Sequence, residues 1–295
     1  MDLLPGPAED AALARVRPLL DAHLGPSAWG DRLRTGEPVP PGALAELRAA
    51  ASAAAGITDG AVVAVALGRW LAPLEVLAAM IAGGPAAFAV PRPAGGFVVL
   101  GPPDTAIVVM GGADGVGLAA RALAPRPVDG IDPTTPTAHA ALDGDQPLDD
   151  PAASRARLLV AAFLAGLASG ATDLAVEYAK TREQFGRPIG ANQALKHALA
   201  DCATRSEAAW STVCYGAAAL AEARPDHRLW LAAAARTAID AADANARSAI
   251  QVHGGRGYTL ECPAHLFLTR ARIATELLGG IAHIRRALLA HAPDG

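Results

Sequence analysis

Residues 177–201 read EYAKTREQFGRPIGANQALKHALAD. A helix-compatible run ends in a short break, and a second helix-compatible run follows. The break concentrates Arg182, Phe185, Gly186, Arg187 and Pro188. Glycine supplies a turn and proline stops a helix, so two long helices meet here at a tight connection. Arg182 stands at the end of the first helix, where a cation answers the helix C-terminus.

The rest of the 295 residues divides around that stretch. Hydrophobic residues make up 52% and aromatic residues only 4%. The core is therefore rich in alanine and leucine, which favours helices that approach closely. Residues 1–82 read as helical, with AEDAALARVRPLLDAHL, GALAELRAAASAAA and DGAVVAVALGRWLAPLEVLAAMIAGG at helical spacing, the last interrupted at Pro73. In 83–150 prolines and glycines multiply. The short runs AAFAV, GFVVL, TAIVVM, GVGLAARAL and TAHAAL predict a small antiparallel sheet. An aspartate-rich linker covers 143–154, with Ser154 as a helix cap. Long helices then return over 151–295: about 154–181, 192–223 and 228–252, a short one over 264–272, and a last one over 274–291. Their short connections imply an antiparallel bundle. The fold class is mainly α with a small β domain.

A net charge of −4 and the lack of a basic stripe argue against nucleic acid as a partner. The N-terminus has no signal-peptide pattern. No uninterrupted apolar run reaches the ~18 residues of a membrane span. These features predict a cytoplasmic protein with no membrane partner. Cys202, Cys214 and Cys262 are few and scattered, which fits buried thiols rather than disulfides or a metal site. Gly115, Gly117 and Ala120 form a G-x-G-x-x-A pattern after an apolar run. No βαβ continuation follows, so a hairpin turning at Ala113-Asp114-Gly115 is the better reading.

The stretch 177–201 resembles the acyl-CoA dehydrogenase family. ANARSAIQVHGGRGYTLECPAHLFLTRAR, residues 244–272, resembles that family's Q-x-x-G-G-x-G-Y loop and the helix after it. ALGRWLAPLEVLAA resembles its G-R-x-L-x-P helix. The resemblance implies an N-terminal helical domain, a middle β domain and a C-terminal four-helix bundle. It also implies FAD at a protomer interface, with the flavin ring on one chain's middle domain and the pyrophosphate and adenine reaching the neighbour's bundle. By that resemblance Arg182 pairs with the pyrophosphate, Phe185 packs on the cofactor and Gln184 is a polar contact. Gln251, Gly254 and Gly255 line the loop that approaches the ADP part.

The pattern then breaks. The family reaction removes a Cα proton from an acyl thioester and passes a hydride from Cβ to the flavin, so a carboxylate base is required. Leu278 stands at the family's usual base position and Ala156 at its alternative one. Neither takes a proton, so no catalytic residue is assigned. Glu276 lies two residues from Leu278 and points about 200° away on a helix; it reads as a solvated charge. His253 beside the glycine loop reads as cofactor-proximal or surface imidazole. Arg247 faces either the vestigial site or an interface, and is no base. The family's T-E-P-x-x-G-S-D and W-I-[TS] segments, which cradle the flavin ring, are missing, and the N-terminal domain is short. The chain resembles the small, base-lacking subunit of heterotetrameric (α2β2) actinobacterial steroid side-chain acyl-CoA dehydrogenases. That resemblance implies a full-length dehydrogenase partner and a shared FAD. The alternatives are a self-sufficient homo-oligomer with a relocated base and a flavin-free scaffold.

Overall fold

The computed structural model describes residues 6–35, 37–111, 115–144 and 146–291. Helices come first: α1 (Pro7–Leu24), α2 (Pro26–Thr35), α3 (Pro41–Ser52), α4 (Ile57–Arg69) and α5 (Leu74–Ala82). Pro7 and Pro41 open α1 and α3, where the missing N–H would have had no helical partner. α1 buries Ala12, Val16, Leu20 and Leu24, one residue per turn. α2 was not expected from the sequence. Trp29 anchors it, 3% exposed, with its indole N–H donating to the Trp70 carbonyl at 3.2 Å.

The sheet holds β1 (Ala86–Pro91), β2 (Phe97–Leu100), β3 (Ala106–Met110), β4 (Val116–Ala119), β5 (Ala122–Pro127), β6 (Thr137–Leu142) and β7 (Gln146–Pro147), in the order β5-β6-β2-β1-β3-β4-β7. One expectation needs correction: β1 and β3 are parallel. β2 turns back onto one edge of β1 through the Arg92–Gly96 turn, which leaves the other edge to β3. Strand alternation splits the sheet's side chains between two cores. Phe88, Leu100, Val108 and Met110 join the helices, while Ala87, Val99, Ile107 and Val109 form a small core on the opposite face. Gly117 lies within β4 opposite Val109, in an antiparallel hairpin. No helix follows it, so the G-x-G-x-x-A pattern is not a nucleotide loop. Ala113 and Asp114 of the turn lie outside the described residues, but the Gly111 N–H closes on the Gly115 carbonyl at 2.9 Å.

The chain then forms α6 (Asp150–Thr181), the two-stranded hairpin β8 (Glu183–Gln184) and β9 (Arg187–Pro188), α7 (Gln193–Ala221), α8 (His227–His253), α9 (Ala264–Leu277) and α10 (Gly280–His291). Asp149, not Ser154, caps α6. Its carboxylate accepts the Ala152 N–H at 3.0 Å, and Pro151 stands in the first turn. Ser154 is buried inside the helix. α9 runs to Leu277 rather than ending near 272, and Gly279 and Gly280, both at positive φ, separate it from α10. α6 is long and apolar enough to cross a membrane by length and composition, but 78% of its apolar window is buried within the protein. Cys202 and Cys262 are buried free thiols and Cys214 is half-buried. Burial, with Glu207 nearby, pushes the Cys214 thiol up to about 12, so it stays protonated at neutral pH.

α6 and α8 run in the same direction. Their starts meet at Asp150–Arg228, 2.6 Å, and their ends at the stacked rings of Tyr178 and His253, 4.2 Å apart. α7 runs back between them. The buried Asn245 amide on α8 contacts the carbonyls of Ala168 and Cys202, at 3.3 and 2.9 Å, which fixes the three helices in register. α4 meets α6 backbone to backbone. A Cβ on Gly68 would fall 2.0 Å from the Phe163 carbonyl oxygen, and one on Gly166 2.0 Å from that of Val65. Only glycine permits this approach.

Three segments converge on Arg270 of α9, which is fully buried. Its Nε donates to Asp132 at 3.0 Å, from the turn between β5 and β6. Its Nη1 donates to the carbonyls of Leu71 and Ala72, between α4 and α5, and its Nη2 to the Thr134 hydroxyl. Trp29 lies 5.6 Å from the guanidinium. Burial alone would push the Asp132 carboxyl up. The Arg270 guanidinium and the Thr134 hydroxyl and amide outweigh burial and hold it below the usual carboxylate range. A folded-state value below the unfolded one stabilises the protein above the unfolded value, and that contribution is lost as pH falls through the folded one. Arg270→Ala is therefore expected to cost about 3–5 kcal/mol at neutral pH, by stranding a buried carboxylate. In denaturant unfolding, the gap between wild type and variant should narrow as pH falls through the carboxylate range and the native Asp132 loses its charge.

Candidate functional site

The end of the bundle where α6 and α8 finish side by side gathers the residues singled out in the sequence. Arg182 caps α6. Its N–H closes on the Tyr178 carbonyl and its carbonyl receives the Ile189 N–H, both at 2.8 Å. Its side chain is exposed and has no hydrogen-bond or ion-pair partner among the described residues. This is not the geometry of a cation spent on its own helix. The β8–β9 hairpin follows, pairing Gln184 with Arg187 around Phe185 and Gly186 at φ 52° and 75°. Two central residues at positive φ make a type I′ turn, which favours asparagine and glycine. Phenylalanine there is costly, and its ring is 98% exposed.

The second strip of the site begins where α8 ends. Gln251 is exposed, as are Gly254 and Gly255, and a Cβ on either glycine would meet open space. Gly254 holds φ 60° as it leaves the helix. His253 is not a surface group: it is 7% exposed, stacked on Tyr178, with Nδ1 2.7 Å from the Ala249 carbonyl. Burial draws its pKa down despite that hydrogen bond, and Arg256 adds to the effect. The neutral imidazole thus ties the glycine loop to the helix that carries Arg182. The sequence reading missed three neighbours. The Arg256 side chain is exposed with no hydrogen bond or ion pair among the described residues, and Tyr258 and Leu260 are 77% and 65% exposed. Their signal was an arginine and two apolar side chains in a glycine-rich loop with no core to enter.

The two positions that the resemblance assigns to a base lie elsewhere and look different. Leu278 is 3% exposed and Ala156 1%, both inside the main apolar core. Glu276 is exposed. Arg247 is exposed and paired along its own helix with Asp243 at 2.8 Å, and that carboxylate also meets Arg272 at 2.6 Å. No group of acidic, histidine or cysteine side chains able to hold a metal ion occurs among the described residues.

The bundle end therefore offers an unpaired guanidinium, an exposed aromatic ring, two amide side chains and open glycine backbone. That set fits the phosphate and adenine side of a dinucleotide. Because the Phe185 ring is almost fully exposed, Phe185→Asn should leave the chain as stable or raise its stability by up to about 1 kcal/mol, as asparagine tolerates positive φ. Thermal or denaturant unfolding of the isolated chain measures this, and a loss would mean that the ring packs internally.

The family model for the acyl-CoA dehydrogenase C-terminal domain matches residues 152–292. The chain is 34% identical over 253 residues to the acyl-CoA dehydrogenase IpdE2 of Mycobacterium tuberculosis, covering 79% of this chain and 77% of that protein. It is 43% identical over 141 residues to acyl-CoA dehydrogenase FadE34 of the same organism, a match spanning 48% of this chain and only 20% of FadE34. The crystal structure of the ChsE4-ChsE5 complex from Mycobacterium tuberculosis superposes with a TM-score of 0.75 and 20% identity, covering 100% of each chain. A match across more than three quarters of IpdE2, agreeing with the fold and the family model, shows that this chain belongs to the acyl-CoA dehydrogenase family.

Proposed function

We propose that the chain is the non-catalytic subunit of a heteromeric FAD-dependent acyl-CoA dehydrogenase, assembled as α2β2 with a full-length partner of the same family. The observation that carries this reading is the burial of Leu278 and Ala156 at 3% and 1% exposure. The family chemistry needs a carboxylate at one of these positions and room for a thioester beside it. Here both positions hold hydrocarbon, and the protein's own core fills the space around them.

Members of the family use FAD, which supplies the hydride acceptor when bound. In this chain Arg182 would hold the pyrophosphate, and Phe185 would cover apolar surface of the cofactor. Gln184 and Gln251 would donate hydrogen bonds. Gly254 and Gly255 would let the backbone approach the ADP part, and Arg256 adds positive potential beside them. The partner would supply the base, the flavin-ring cradle and the acyl pocket. The likeness to the base-lacking subunits of steroid side-chain dehydrogenases supports a steroid CoA thioester as the substrate of the complex, in the cytoplasm. The exposed apolar surface of Phe185, Tyr258 and Leu260 supports the partner, since side chains so exposed gain free energy when covered.

The test is Arg182→Ala in the co-expressed complex. Loss of a charge-assisted, bidentate contact should weaken flavin retention roughly tenfold or more while the complex still assembles. Unchanged flavin content would favour a flavin-free scaffold. Flavin and turnover in the chain purified alone would favour a self-sufficient dehydrogenase.

A further inference from the structure

A cavity of about 560 Å³ opens between α1, α4, α6, α7 and α9. On α6 it touches Gly170, Asp173, Leu174 and Glu177, so it begins about 21 Å along the helix from Ala156. Its interior is apolar: Trp29, Trp70, Trp210, Phe267, Val65 and Leu174 are prominent in the walls. Two of the indoles are locked in place. Trp29 donates to the Trp70 carbonyl, and Trp70 donates to Asp21 at 3.0 Å. With their N–H groups occupied, both rings have only carbon surface left to offer a ligand.

The charges at the mouth are already matched. Arg69 pairs with Asp173 at 2.6 Å, Glu177 with Lys180 at 2.7 Å, and Arg17 with Asp21 at 3.8 Å. The mouth therefore presents no uncompensated charge to draw in an ionic ligand. We propose that this cavity is a binding site for an uncharged, ring-containing hydrophobic small molecule. The volume lies in the range of small-molecule sites, and an apolar interior with a paired polar rim is their usual composition. Flat, fixed aromatic walls favour a rigid ring system, which gives up little conformational freedom on binding and stacks against indole.

The site reports on itself. Three of the chain's four tryptophans line it, while Trp230 sits apart against Tyr215 with ring centroids 4.1 Å apart. Tryptophan emission of the full-length chain is titrated with progesterone, a neutral tetracyclic probe, and with dodecanol, a linear one. The expected result is saturable quenching by progesterone with a Kd on the order of micromolar, and weaker binding of dodecanol. Val65→Phe fills the cavity without adding tryptophan and should weaken progesterone binding at least tenfold. If that variant fails to fold, Leu174→Phe serves in its place. Non-saturable quenching, equal affinity in the filled variant or tighter binding of dodecanol would overturn the proposal. So would loss of the response once the chain is bound to a co-purified dehydrogenase partner, since partner side chains would then be the occupants.

Discussion

The buried guanidinium of Arg270 holds this molecule together. Removing a charge from water is expensive, and the cost is offset only when each donor finds an acceptor. Arg270 finds them in two places: Asp132 and Thr134 in the turn between β5 and β6, and the Leu71 and Ala72 carbonyls between α4 and α5. The geometry also explains Leu71, a non-glycine residue at φ 53°. Its strained backbone aims a carbonyl at the guanidinium, and packing and hydrogen bonds together offset the strain. Once α9 is fixed at Arg270, its end is fixed too, and Leu278 falls into the core.

Two ends of the bundle have therefore diverged. Near Ala156 and Leu278 the interior is closed and hydrocarbon-filled. At the finish of α6 and α8 the chain keeps exposed groups: an arginine whose side chain has no partner among the described residues, a phenylalanine in an unfavourable turn, and glycines facing open space. Exposed features that cost backbone strain are the kind a protein retains for binding. The Tyr178–His253 stack keeps the two strips that carry them side by side.

Much of this was legible in the sequence because it is local. Proline and glycine punctuation marked most helices, and the alternating runs marked the strands. What failed was non-local or depended on conformation. α2 is short and contains Gly30, and it owes its place to Trp29 reaching Trp70 across 41 residues. The parallel β1–β3 pair depends on which edge β2 takes. Ser154 looked like a cap, but Pro151 and Asp149 moved the helix start upstream. Arg270 lay inside a quoted motif, yet its partner Asp132 is 138 residues away. At the candidate site the residue types were readable, whereas the left-handed backbone of Phe185 and the burial of His253 were not. Arg256 was overlooked because its neighbours matched a pattern and it did not.

On the proposed reading, this chain would grip the phosphate end of a flavin nucleotide and leave the deprotonation to its partner. The most direct measurement is flavin absorbance and acyl-CoA turnover of the chain expressed alone, set beside those of its complex with a full-length family partner. The expected result is a colourless, inactive single chain, and flavin and turnover in the complex. A single chain that binds flavin and dehydrogenates an acyl-CoA thioester by itself would contradict it.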